Sequence, residues 1–100
     1  MRTVMVRYKT SEAQAETNAS LVRAVFEQLS VRKPDGLRYA TYRLPDGVTF
    51  VHVATIDAAE NPLLSLPAFQ EFQRGINERC VEPPMVTQLG VIGAYESEAR

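Results

Sequence analysis

From Thr3 to Tyr8 the chain alternates Val4, Val6 and Tyr8 with Thr3, Met5 and Arg7. That two-residue period predicts a β-strand with both faces largely occupied. Past Ser11 the period lengthens. Leu21, Val22, Val25, Phe26 and Leu29 recur at helical intervals, so a helix is expected to run to Ser30, opened by the capping-box spacing of Ser11 and Gln14. Lys33-Pro34-Asp35-Gly36 stops it. Two β-rich runs, Leu37 to Leu44 and Val48 to Thr55, then flank Pro45-Asp46-Gly47 and read as a hairpin. A type I turn with a glycine bulge would set Leu44 opposite Val48, Tyr42 opposite Phe50 and Ala40 opposite His52. Residues 57–66 form an irregular connection carrying Pro62, Leu63, Leu64 and Leu66, either a lid or a core cap. Ser65 and Pro67 open a second helix with Phe69, Phe72, Ile76 and Cys80 on one stripe, and Val81-Glu82-Pro83-Pro84 ends it. Met85 to Tyr95 is the last apolar run, read as the final strand.

The resulting order, β-α-β-β-α-β, predicts a ferredoxin-like α+β fold: a four-stranded antiparallel sheet with two helices on one face. The 100 residues are expected to form one domain, with the polar end at about 97–100 frayed. The expected hairpin register directs Leu37, Tyr39, Val51 and Val53 to the helices. It leaves Arg38, Tyr42, Phe50 and His52 on the opposite face, too apolar to be a plain solvated surface. A second copy of the chain is therefore expected to cover that face, giving a homodimer.

Composition narrows the function classes. With 12 acidic against 11 basic side chains the chain has no electrostatic footprint for nucleic acid or an anionic membrane. One cysteine and one histidine can form neither an internal disulfide nor, alone, a metal site. No apolar run approaches the roughly 18 residues of a membrane span, and the first residues lack the apolar stretch of a secretory signal. A cytoplasmic location, with no metal and no cofactor, is the expectation.

Three segments together carry a family resemblance: Gly36-Leu37-Arg38-Tyr39 leading into the hairpin, Leu66-Pro67-Ala68-Phe69-Gln70-Glu71-Phe72 opening the second helix, and Gly93-Ala94-Tyr95 near the end. The chain resembles the antibiotic biosynthesis monooxygenase-like group of dimeric α/β-barrel proteins. The resemblance implies a ferredoxin-like protomer, pairing of two sheets into a barrel, and a cavity for a small aromatic or otherwise apolar ligand. The group includes cofactor-free quinone-forming oxygenases and haem-degrading enzymes, and the resemblance supplies the expectation of a monooxygenase; a phenol or hydroquinone-like substrate is expected because, once deprotonated, it can itself reduce oxygen without a cofactor. The asparagine and tryptophan of haem-degrading relatives are missing, since Val4, Met5 and Val6 stand in the first strand and the chain has no tryptophan.

His52 is the side chain that titrates nearest neutrality and the candidate general base. On the expected register Arg38 would stabilise the substrate anion, with Tyr42 and Phe50 walling its ring. Asn18 falls within the apolar arc of the first helix, where its amide must find partners, either backbone groups or a ligand. Cys80 reads as an inert packing thiol and Arg43 as a solvated charge. Two other readings compete. An RNA-recognition domain shares the element order, but Asp46, Val48 and Val53 break its third-strand motif. A non-catalytic ligand-binding or assembly module of the same dimeric fold meets no such objection.

Overall fold

The computed structural model describes residues 1–97. Four strands form one sheet in the order β2-β3-β1-β4: β1 (Arg2–Thr10), β2 (Leu37–Arg43), β3 (Thr49–Ile56) and β4 (Cys80–Leu89). Every neighbouring pair is antiparallel. Helix α1 (Ala15–Arg32) and the short helices α2 (Pro67–Gln73) and α3 (Ile76–Arg79) cover one face. This is the ferredoxin-like α+β fold. The expected end at 97–100 lies, apart from Ser97, outside the described residues.

Between sheet and helices lies a core of Tyr8, Ala19, Val22, Val25, Phe50, Leu63, Leu66, Phe69 and Phe72. Burial of such side chains contributes about 1.5–3 kcal/mol each and provides most of the drive to fold. The capping box does not form. Ser11 makes no side-chain bond to the helix; a single 3-10 turn at Glu12–Gln14 leads into α1, and the Ser11 amide donates to the Arg79 carbonyl at 3.0 Å. Helix α1 ends beyond Ser30, at Arg32, with Lys33 in the left-handed region.

The hairpin register differs from expectation by one residue, and everything on β3 changes face with it. Tyr42 lies opposite Val51, Thr41 opposite His52 and Arg43 opposite Phe50. The cause is Asp46. One carboxylate oxygen accepts from the amides of Val48 and Thr49 (3.0 and 2.9 Å), and the other accepts from the Thr49 hydroxyl (2.6 Å). With its amide held in the turn and its carbonyl accepting from Thr10 N at 2.8 Å, Val48 leaves the β2–β3 ladder, which closes instead on Leu44 N to Thr49 O. Phe50, His52, Ala54 and Ile56 are therefore buried beneath the helices, while Val51 and Val53 take the outer face.

The second helix is also shorter than its stripe suggested. Gly75, at φ +80°, breaks it into α2 and α3. Cys80 begins β4 opposite Thr10, and the strand runs through Pro83 and Pro84 to Leu89, rather than from Met85 to Tyr95. Two prolines fit because β4 is an edge strand whose ladder slips around Lys9.

Gly36 sets the start of β2. Its φ is +78°, and a Cβ there would lie 2.6 Å from the Asp57 carbonyl oxygen, whereas one on Gly47, at φ +80°, would meet open space. Gly47→Ala is expected to cost about 1–2 kcal/mol of left-handed strain. Gly36→Ala should cost clearly more, because backbone has to move as well. Chemical denaturation of both variants checks the order.

Candidate functional site

The register that turns β3 over brings His52 into an enclosed array. It is 5% exposed, with Tyr8 from β1 on one side and Tyr39 from β2 on the other. The Tyr8 hydroxyl lies 2.7 Å from Nε2, the Tyr39 hydroxyl 2.6 Å from Nδ1, and the Thr41 hydroxyl 3.0 Å from Nδ1. Phe72 packs on the imidazole with ring centres 5.3 Å apart. Burial holds the imidazole pKa down at about 4, so the ring is neutral at physiological pH. Burial also raises both phenols, Tyr39 to about 12, so each keeps its proton.

The polar chain continues inward. Asn18 Nδ2 donates to the Tyr8 hydroxyl at 2.8 Å, and Arg79 Nε donates to Asn18 Oδ1 at 3.0 Å. The guanidinium also donates to the carbonyls of Phe72 (2.7 Å) and Arg74 (3.4 Å), and lies over the Phe72 ring at 5.4 Å. No buried side-chain nitrogen or oxygen among the described residues lacks a partner. Such a network is stable only when fully satisfied, because an unpaired buried group costs about 1–3 kcal/mol.

Beside this array is a cavity of about 270 Å³. Val4, Val6 and Ala54 form its sheet wall, Leu63, Phe69, Phe72 and Ile76 its helical wall, and Pro84 and Val86 of β4 one flank. Its polar positions are Tyr8, Tyr39, His52, Asn61 and Gln73, and no charged side chain among the described residues lines it. The volume is near the lower end of ligand pockets and suits a single ring.

The residues singled out from sequence do not all meet here. His52 reaches the cavity, and Asn18, wholly buried, supports it through Tyr8. Arg38 does not. It points from the other face of β2 and pairs with Glu96, both side chains about two-thirds exposed. Tyr42 shares that outer face and is 58% exposed, while Phe50 stacks behind Tyr8 (5.6 Å between centres, 11° between planes) and lies outside the cavity wall. The shift of register explains Arg38 and Tyr42, since it moves His52 to the face of Tyr39 and away from theirs; Phe50 keeps the face of His52 and is held against Tyr8 instead. Of the three leucines, Leu63 lines the cavity, Leu66 is core and Leu64 is exposed. Arg43, set aside as solvated, pairs with Glu16 at 2.7 Å. Burial raises the Cys80 thiol pKa, in keeping with an inert thiol.

Tyr8, Tyr39 and Arg79 were missed. Arg79 stands three residues after Ile76 and seven after Phe72, so its place on the inner stripe was visible in the spacing. Among the described residues no group of three or more His, Cys, Asp or Glu side chains could hold a metal ion, and no helix is long and apolar enough to cross a membrane.

The fold can be compared with known proteins. Rv0793 from Mycobacterium tuberculosis superposes with a TM-score of 0.74 at 19% identity, over 95% of this chain and 98% of that one. A protein described as an antibiotic biosynthesis monooxygenase gives a TM-score of 0.70 at 15% identity, over 93% of this chain and 100% of that one. This chain shares the fold of these proteins. A variant of SnoaB, a cofactor-independent oxygenase from Streptomyces nogalater, matches at TM-score 0.68 and 15% identity, over 96% and 97% of the two chains. No family model matches the sequence, and no curated protein matches it significantly.

The depressed pKa of His52 has a consequence for folding. Above pH ~6.5 the imidazole is neutral both folded and unfolded and costs nothing. As pH falls below that value the unfolded chain takes up a proton that the folded one, with its pKa near 4, refuses, so stability drops until pH ~4. The loss is expected to total about 3 kcal/mol. Melting temperatures between pH 4 and 7, with His52→Gln as the reference lacking this titration, measure it.

Proposed function

We propose that the protein is a cofactor-independent monooxygenase acting on a small phenol or hydroquinone-like substrate. The observation that carries this reading is the polar end of the cavity: a neutral histidine clasped by two tyrosines, facing a ring-sized apolar space. The chemistry needs no added electron carrier. Converting a phenol to a quinone with O₂ places one oxygen atom on the ring and releases the other as water, and the substrate supplies all four electrons. What the protein must supply is a dry cavity, a fixed ring and a group that governs the charge on the substrate oxygen. Phe69 and Phe72 would hold the ring, and His52 would act on the oxygen through the Tyr39 hydroxyl.

A second reading, binding without turnover, is favoured by one feature: both ring nitrogens of His52 already have protein partners. Oxygen consumption with a panel of hydroquinones, beside binding of the same compounds, separates the two. The enzyme reading expects turnover that shows no step at the usual histidine pKa, because His52 stays neutral down to about pH 4. It also expects His52→Gln to lose on the order of a hundredfold in kcat/KM. Binding with no oxygen uptake by the parent protein would establish the second reading.

The assembly is proposed to be a homodimer. The outer sheet face carries Tyr42, Met85 and Leu89, exposed by 58%, 69% and 38%, and the segment after β4 adds Val91, Ile92 and Tyr95. Apolar surface of this extent is uncommon on a stable monomer. Sedimentation at micromolar concentration should give twice the chain mass of 11.2 kDa, and Met85→Asp should shift the population toward monomer. A parent protein that sediments as a monomer would rule the dimer out.

A further inference from the structure

The buried chain of hydrogen bonds has a direction, and Arg79 imposes it. A guanidinium only donates. Bonded to Arg79 Nε, Asn18 must present its carbonyl oxygen there and its NH₂ to Tyr8. The Tyr8 oxygen, accepting from Asn18, has its own hydrogen free for His52 Nε2 at 2.7 Å. A neutral imidazole that accepts at Nε2 carries its proton on Nδ1, and this N–H is shared between Tyr39 Oη at 2.6 Å and Thr41 Oγ1 at 3.0 Å. Tyr39 is then an acceptor toward the histidine and keeps one O–H to give. The reverse tautomer would make the Tyr8 oxygen accept twice, leaving the hydrogen of a side chain that is 1% exposed without a protein acceptor.

We propose that Arg79 is a positioning residue that polarises the chain Asn18–Tyr8–His52–Tyr39 in one direction. Tyr39 thereby becomes a hydrogen-bond donor at the cavity wall, selecting ligands that present an acceptor oxygen, a phenolate or a carbonyl. The ligand class rests on the reading of the cavity given above, whereas the direction of the chain does not. In this arrangement His52 is not the base that strips the substrate. It holds the Tyr39 oxygen so that the phenolic hydrogen faces the ligand, and a phenol enters as its anion or loses its proton to water. Arg79 is suited to the task by its isolation: it is 7% exposed, none of the ion pairs among the described residues includes it, and its bonds go to neutral acceptors. Among the described residues no charged side chain lines the cavity to compete with the Tyr39 donor for an anionic oxygen.

The chain's one histidine makes the direction measurable without a ligand. Long-range ¹H–¹⁵N correlation on histidine-labelled protein at pH 7 is expected to show protonated Nδ1 and bare Nε2. An Nε2–H tautomer would overturn the proposal. Arg79→Gln can accept as well as donate and should yield a mixture of tautomers, as should Tyr8→Phe, which cuts the chain and serves if the first variant does not fold. An unchanged spectrum in a folded variant would remove Arg79 from its role. The ligand half is read with 4-nitrophenol, whose colour reports its ionisation. Tyr39→Phe should reduce the preference of the bound probe for phenolate about tenfold, one pKa unit, whereas an unchanged or increased preference would contradict donation by Tyr39. If 4-nitrophenol does not bind while the Nδ1–H spectrum holds, the ligand class and the proposed function fail and the relay stands.

Discussion

The site depends on the register of one hairpin. Asp46 ties the amides of Val48 and Thr49 into the turn, and its carboxyl pKa is lowered to about 2 by the bonds it accepts from Thr49 and Val48. With Val48 taken out of the β2–β3 ladder, Thr41 pairs with His52 and Tyr39 with Ala54. A shift of one residue would put the imidazole on the outer face and leave Tyr8 and Tyr39 without their shared partner. A local turn interaction at the surface thus decides the chemistry of the interior.

The interior it creates is a compromise between packing and polarity. Tyr8, Asn18, His52 and Arg79 replace aliphatic side chains that would have filled the same space at no cost in desolvation. Each of them is offset by hydrogen bonds to another, so the array is sound only when complete. Helix α1 supplies the amide, α3 the guanidinium, β1 and β2 the phenols, and β3 the imidazole. Five elements therefore converge on one polar thread beside an apolar cavity, an arrangement that packing alone does not require.

Much of the fold was legible because it rests on periodicity. The strand of Val4, Val6 and Tyr8, the helix of Val22 and Val25 and the inward phase of Asn18 follow from spacing, and so does the ferredoxin-like order. What was not legible was set by side chains acting on backbone. The hairpin turn can close in two ways, and the choice depends on where the Asp46 carboxylate binds; assigning it wrongly placed Arg38 and Tyr42 beside His52. Gly75 looked like a residue inside a helix, yet its positive φ splits the helix and releases Cys80 into the edge strand. Arg79 was visible on the inner stripe, but a charge there reads as a solvated end until its partners are seen. Tyr39 lay within the segment that carried the resemblance, and its pairing with His52 emerged only with the register.

The His52 end of this cavity is the proposed binding place of a small phenol-type ligand. The most direct measurement is the ¹H–¹³C spectrum of the His52 ring during titration with a phenol that the protein does not oxidise, followed beside the methyl signals of Val6, Leu63 and Ile76. Binding at this end of the cavity should make the imidazole and those methyl signals move together and saturate, while methyl groups of the outer face, such as those of Val51 and Val53, stay fixed. Movement confined to the outer face, or none at all at saturating phenol, would contradict it.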